Sequence, residues 1–471
     1  MTEIAARIEA ARSHENPLVR VVEQVSCEDP WQLAQAIRGS GIRVMAWSAP
    51  SGQPSPRVFV AAGIAAELRP EGGDRFADTS RWWDQIRPTI LELDLQTGET
   101  IHSGTPACLA GFAFSAGMDR SELWRGWDDG AICVPEVLVI RDRAGTRAVY
   151  TLSEDKGPEH LAVLRARLQG WLHTAQQVPS PEQANEGAVQ AAEGGKPAWP
   201  AWQERVEAAR SSLLDGTMDK VVLARAQAYR AAPDACFDPL ATALALRDRQ
   251  ATSTTFMIQR RDGQAFLGAT PEVLVRLRQG HVETVAMAGT RRRGDADGDD
   301  EILGSQLMAS AKDRHEQQLV ADAIWQALEP LVSNLERPDS PEVVRLPDVQ
   351  HLRTRISGRL RAHTNIFDLL RELHPTPAVG GLPREPALRW LDDHEALDRG
   401  WYAGPIGWVD AEGNGEFVVA IRSVLMAGQE AAAFAGCGLV AHSDAWDEWE
   451  ESIIKLQTVR RGLAFRSGAG S

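Results

Sequence analysis

TTFMIQRRDGQAFLGATPEVLVRLRQGHVETVAMAG, residues 254–289, is a series of short apolar runs interrupted by RDGQ (261–264) and RQGH (278–281). Short glycine-bearing connections between such runs specify hairpins, so the stretch reads as successive antiparallel strands. The reading extends to KVVLARAQAYRA (220–231) and GNGEFVVAIRSVLMAG (413–428), and towards the N terminus to RVMAWSAP (43–50), RVFVAAGIAAEL (57–68), PTILELDLQTG (88–98), LAGFAFSA (109–116), AICVPEVLVIRD (131–142) and TRAVYTLSE (146–154). Apolar residues recur at three and four in 202–216, in one long run over 301–332, in NIFDLLRELH (365–374) and in DEWEESIIKLQTVRRGL (447–463), which predicts helices. Hairpins outnumber strand–helix–strand units, so an α+β fold with mainly antiparallel sheet is expected rather than a doubly wound one.

A chain of 471 residues implies two domains or one large two-lobed unit. Residues 178–202, VPSPEQANEGAVQAAEGGKPAWPAW, lack hydrophobic period and read as a linker or mobile loop between an N-terminal lobe, 1–177, and a C-terminal region, 203–471. The formal net charge of -15 argues against a nucleic-acid partner, which needs a positive surface. It is compatible with a basic pocket for a small anion, or with a carboxylate cluster for a hard divalent cation. No run approaches the roughly 18 apolar residues of a membrane helix, and Met1 to Asn16 is polar and charged, so no membrane contact and a cytoplasmic location are expected. Five cysteines scattered without CxxC spacing suit reduced thiols.

Asp313 and Glu316 share one face of a predicted helix, and Glu448, Glu451 and Lys455 share one face of another. Two helices could therefore aim carboxylates at one point and select an oxygen-loving cation, Mg2+ before Zn2+. Spacing alone favours the ordinary alternative, a solvated helix face. Lys220 and Glu272 each stand among apolar strand residues; loss of solvation there favours the neutral amine of a general base and the protonated carboxyl of a general acid. Either could also be an ordinary residue at a strand edge. Glycines in 283–294, AVGGLP (378–383) and AGCGLVAHS (435–443) allow backbone amides to approach an anion, and Arg291 to Arg293 reads as an anion clamp or a solvated hairpin end. No GxGxxG or P-loop pattern is present, so no nucleotide site is expected.

Taken in order, KVVLAR (220–225), FLGATPE (266–272), ETVAMAGTRRRG (283–294), SAKDRHEQQLV (310–320), HLRTRISG (351–358), LHPTPAVGG (373–381), 400–423 and 435–455 resemble the chorismate-binding enzyme family, most closely its isochorismate synthase members. The likeness covers Trp202 to the C terminus, with GFAF (111–114) and VPEVLVIR (134–141) as looser matches before it. It implies one α+β unit of the anthranilate synthase component I type, in which large sheets enclose helices. It further implies Mg2+ held by Glu316 and Glu451 with Glu448 and Asp313 close by. Substrate carboxylates are then held by Gly289, Thr290, Arg422, Gly436 and Gly438, with Tyr402 and Lys455 lining the pocket. Lys220 matches the base of the water-adding members, so no glutaminase subunit is expected, and Ala288 stands where aminodeoxychorismate synthases keep a nucleophilic lysine. The implied reaction turns chorismate into isochorismate, with Lys220 as base and Glu272 as acid. Ala378 looks like the isochorismate-releasing type rather than that of salicylate synthase, which goes on to eliminate pyruvate. A non-catalytic chorismate-binding or partner subunit is the reading from another class.

Overall fold

In the computed structural model, which describes residues 2–11, 18–38, 40–53, 56–117, 120–177, 190–191, 199–294, 297–346 and 349–467, the 254–289 stretch does form hairpins: Thr254–Gln259 pairs with Ala265–Thr270 and Val273–Arg278 with His281–Arg292, all antiparallel. The chain changes sheet between them. The first hairpin belongs to a 13-stranded sheet and the second to a 10-stranded one, so Pro271 and Glu272 lie on the crossing. A second crossing breaks the run expected as one strand over 413–428: Gly415–Val419 lies in the smaller sheet and Ser423–Ala427 in the larger. The crossings are bonded to each other, Val419 N–H donating to Glu272 O (3.0 Å) and Ala269 N–H to Arg422 O (3.2 Å).

Among the described residues every strand pairing is antiparallel except Leu18–Gln24 beside Ile90–Asp94. The fold is therefore α+β with two large, mainly antiparallel sheets. Each sheet draws strands from both ends of the chain: Val44–Ser48 pairs with Thr254–Gln259, and Pro106–Phe112 with Pro405–Asp410. Of residues 178–202, Gln190 and Ala191 pair with Arg230 and Tyr229. Trp199–Trp202 open the helix Trp199–Leu214, so a linker reaching 202 ends too late; 178–189 and 192–198 lie outside the described residues.

One buried cluster joins the inward faces of the two sheets, with Trp47, Phe59, Phe256 and Phe266 from the larger and Leu109, Ile406 and Phe417 from the smaller. A second covers the other face of the larger sheet, where Trp31–Ile37, Pro158–Gln177 and Pro239–Arg249 pack with Trp31, Leu164, Leu168 and Leu246 fully buried. No helix among the described residues is long and apolar enough to cross a membrane.

The helix expected over 301–332 is two, Asp297–Ala309 and Ala311–Leu328, and the chain enters a strand at Val332. Ser310 separates them because its hydroxyl accepts from Asp313 N–H, capping the second helix. Asp444 caps Ala445–Arg460 in the same way, accepting from the N–H groups of Trp446 and Asp447. These two caps fix where each carboxylate-bearing helix begins. Asp444→Ala is expected to lower stability by about 1 kcal/mol, read from the midpoint of denaturant unfolding.

Candidate active site

Lys220 opens the strand Lys220–Arg230, paired on one side with Glu430–Leu439, so that Val222 faces Gly438 and Ala224 faces Gly436. Its side chain is 2% exposed, and Nζ donates to Glu316 Oε1 at 2.8 Å. Glu316 is on the Ala311–Leu328 helix, which packs on the smaller sheet, so this ion pair links the two sheets. Gly438 makes the approach feasible: a methyl there would stand 2.9 Å from Lys220 Cε and 3.2 Å from Glu316 Oε1. Gly289 serves similarly at a bulge in His281–Arg292, with φ of +71° and room beside Asp313 that a side chain would fill.

One cavity collects Lys220, Glu272, Gly289, Thr290, Glu316, Ala378, Tyr402, Arg422, Gly436, Gly438, Glu451 and Lys455. Of the residues singled out from the sequence, Glu448 and Asp313 do not line it; Glu448 lies beside Glu451 and Asp313 beneath Gly289. None of Arg291, Arg292 and Arg293 lines it; Arg291 bonds Gln306, and Arg293 bonds Asp300 and the carbonyl of Leu346. Cys437 is buried as expected of a small apolar residue.

The electrostatics follow from burial. Glu272, on the first crossing, has its carboxyl raised to about 7 by desolvation, against the opposing pull of Lys220, Lys455 and Arg422. Lys455 donates to Gly436 O at 2.8 Å and Glu451 Oε1 at 2.5 Å; burial lowers its affinity for the proton, but Glu451 and its other surroundings outweigh that and the net shift is upward. Arg422 sits on the second crossing at φ +51°, a strained backbone for a side chain of its size, and is 7% exposed. Burial likewise pushes the Tyr402 hydroxyl up to about 12, so it stays neutral while stacked on Phe434.

Two polar residues of the cavity were not singled out from the sequence. His351 contacts Thr290 Oγ1 (3.2 Å) and Gly289 O (3.3 Å) through Nδ1, and burial, with Arg422 and Lys455 nearby, lowers it to about 3. A carbonyl can only accept, so Nδ1 carries the proton of a neutral ring and Nε2 keeps a lone pair. Arg399 is 4% exposed and bonded to Glu395. A lone histidine on an alternating strand reads as core, and a Glu–Arg pair four apart reads as an exposed helix pair.

The donor set fits a hard cation. Glu448, Glu451 and Cys437 bring one atom each within 4.8 Å of one another. The thiol contacts Glu448 O at 3.1 Å, and burial pushes it well above its ordinary range. Burial, then the neighbouring Glu451 carboxylate, raises the Glu448 carboxyl. A divalent ion would relieve that crowding. With Glu316 in the same cavity as Glu451 and Glu448 beside it, carboxylates outnumber the one thiol, which suits Mg2+ better than Zn2+.

Comparison with known proteins agrees with this architecture. The family described as chorismate binding enzyme matches residues 5–464. The chain is 38% identical over 456 residues to the salicylate biosynthesis isochorismate synthase of Pseudomonas aeruginosa, covering 96% of this chain and 91% of that protein. It is 34% identical over 420 residues to the isochorismate synthase MenF of Bacillus subtilis, covering 88% and 87%. Among solved structures, the menaquinone-specific isochorismate synthase MenF of Escherichia coli superposes with a TM-score of 0.75 at 24% identity, over 98% of this chain and 99% of that one. Anthranilate synthase component I of Streptococcus pneumoniae superposes with a TM-score of 0.70 at 19% identity, over 86% and 92%, and shares the fold. With the family match running nearly end to end and a relative of this similarity over almost the whole length, the chain belongs to the chorismate-binding enzyme family.

Proposed function

We propose that the chain is an isochorismate synthase, an isomerase that adds water at C2 of chorismate and expels the C4 hydroxyl. The observation carrying this reading is that Lys220 and a carboxyl raised to about 7, Glu272, line one cavity with Glu316 and Glu451. Lys220 takes a proton from the attacking water, and protonated Glu272 gives one to the leaving hydroxyl. Because Lys220 Nζ is 2.8 Å from Glu316 Oε1, its role as base requires Glu316 to be engaged elsewhere, which its assignment as a metal ligand provides. Mg2+ held by Glu316 and Glu451, with Glu448 beside them, would supply Lewis-acid polarisation of the ring carboxylate. Arg422 and the amides at Gly289, Thr290, Gly436 and Gly438 bind carboxylate oxygens, and Tyr402 and Lys455 brace the pocket wall. Water, rather than ammonia from a glutaminase partner, is the nucleophile. The free cysteines accord with the reducing cytoplasm as its compartment.

The direct test is incubation of the purified protein with chorismate and Mg2+, followed by separation of products by mass and absorbance. Isochorismate without pyruvate is expected. Salicylate with equimolar pyruvate would move the assignment to salicylate synthase and remove the significance given to Ala378. Unchanged chorismate would leave a binding subunit.

Glu272→Gln is expected to reduce kcat by about a hundredfold or more. In the parent, kcat/KM should fall as pH rises above about 7, because the acid must be protonated to act. Stability should move the opposite way on substitution. The folded protein holds this proton from the ordinary 4.5 up to about 7, so the parent loses stability as pH rises through that window. At pH 8 Glu272→Gln should therefore unfold later than the parent, by up to roughly 3 kcal/mol.

Metal removal by chelation should abolish turnover, and added Mg2+ should restore it. Trp446 and Trp449 lie on the same helix as Glu448 and Glu451, so Mg2+ titration is expected to change tryptophan fluorescence in the parent and not in Glu451→Gln.

A further inference from the structure

The strand that carries Lys220 is secured along one edge by Glu430–Leu439, but its other edge is only partly paired. There Lys220 and Val221 meet Leu382 and Gly381, and pairing resumes at Tyr229 and Arg230. At Val222 and Ala224 side chains and a loop stand in for the missing neighbour. Val222 N–H donates to Gly380 O at 2.9 Å, Ala224 N–H donates to Glu395 Oε1 at 2.6 Å, and Val222 O accepts from Arg399 Nη2 at 2.6 Å.

Glu395 and Arg399, each 4% exposed, are joined by two bonds, Nε to Oε2 at 2.7 Å and Nη2 to Oε1 at 2.6 Å. Nη1 reaches Val379 O at 2.8 Å, next to Ala378, and the guanidinium lies 4.2 Å over the Phe114 ring. The Arg399 carbonyl also accepts from Tyr402 N–H at 2.9 Å. One guanidinium thus ties together the base-bearing strand and the Ala378 loop, while the main chain of the same residue holds the turn that presents Tyr402.

We propose that Arg399, oriented by Glu395, is a positioning residue for the reaction assigned above: it sets the place of Lys220 against the bound substrate rather than only holding the fold together. The inference rests on that reaction. A planar fork with several donors can meet a carboxylate and two carbonyls at once, whereas an ammonium keeps the charge without that geometry. A displacement of the base by about 1 Å suffices to cost on the order of a hundredfold in rate.

The experiment compares the parent, Arg399→Lys, Arg399→Met and the double variant Glu395→Gln with Arg399→Met, measuring kcat, KM for chorismate and the thermal midpoint. Arg399→Lys should lose about tenfold to a hundredfold in kcat with KM little changed. Arg399→Met leaves Glu395 buried without its cation and should melt early, while the double variant removes both charges and should recover much of that midpoint without recovering kcat. A double variant with parental midpoint and parental kcat overturns the inference, as does an Arg399→Lys rate loss that matches its loss of folded fraction. A parent that leaves chorismate unchanged overturns the assigned reaction and this inference with it.

Discussion

Twice the chain leaves one sheet for the other, at Pro271–Glu272 and at Ala420–Arg422, and the two passages hydrogen-bond to each other. A backbone that quits a ladder must find other partners for its amide and carbonyl groups; here Glu272 O and Arg422 O find them across the two passages, and Ala420 finds them in Ala403 N–H and Gly404 O. The arrangement fixes Glu272 and Arg422 relative to one another through main chain alone. It also buries both, at 6% and 7% exposure, and that loss of solvation is why a carboxyl there keeps its proton to about 7. The strain at Arg422, φ +51°, belongs to the same constraint: the second crossing is held by its bonds to Ala269, Ala403 and Gly404, with Val419 just before it bonded to Glu272, not by local preference.

Around these crossings the cavity gathers more ionisable groups than an ordinary core tolerates. Lys220, Lys455 and Arg422 stand against Glu272, Glu316 and Glu451, with Glu448 behind. Burying paired charges seldom stabilises a fold relative to apolar packing, so such an assembly is better explained by binding and chemistry than by stability. The glycines at 289 and 438 belong to this account, since each leaves open a space that a side chain would take from a charged group.

The hairpins could be read from apolar runs and glycine turns, because strand alternation and turn chemistry are local. The sheet changes could not, since nothing in ATPEVL or VVAIRSV announces that the next strand joins a different ladder. The 301–332 run reads as one helix because its apolar period continues across Ser310, whose hydroxyl caps a helix only when the chain bends there. At the site, Lys220 and Glu272 stood out as charges among apolar neighbours. Helix spacing offers the grouping of Glu316 with Glu451 only as one possibility, and family likeness selects it, because two helices distant in sequence carry no signal that they meet. His351 and Arg399 stayed hidden, since each has a commonplace local explanation and owes its place to partners tens to hundreds of residues away.

The interleaving of early and late strands bears on how the molecule can be made. Val44–Ser48 has no neighbour on one side until Thr254–Gln259 exists, and Pro106–Phe112 waits for Pro405–Asp410. Contacts of such long sequence separation are slow to form, and unpaired edges that wait for them are open to association with other chains. During synthesis, then, the first half of the protein emerges with both sheets incomplete. It is this half, rather than the finished protein, that exposes unpaired strand edges.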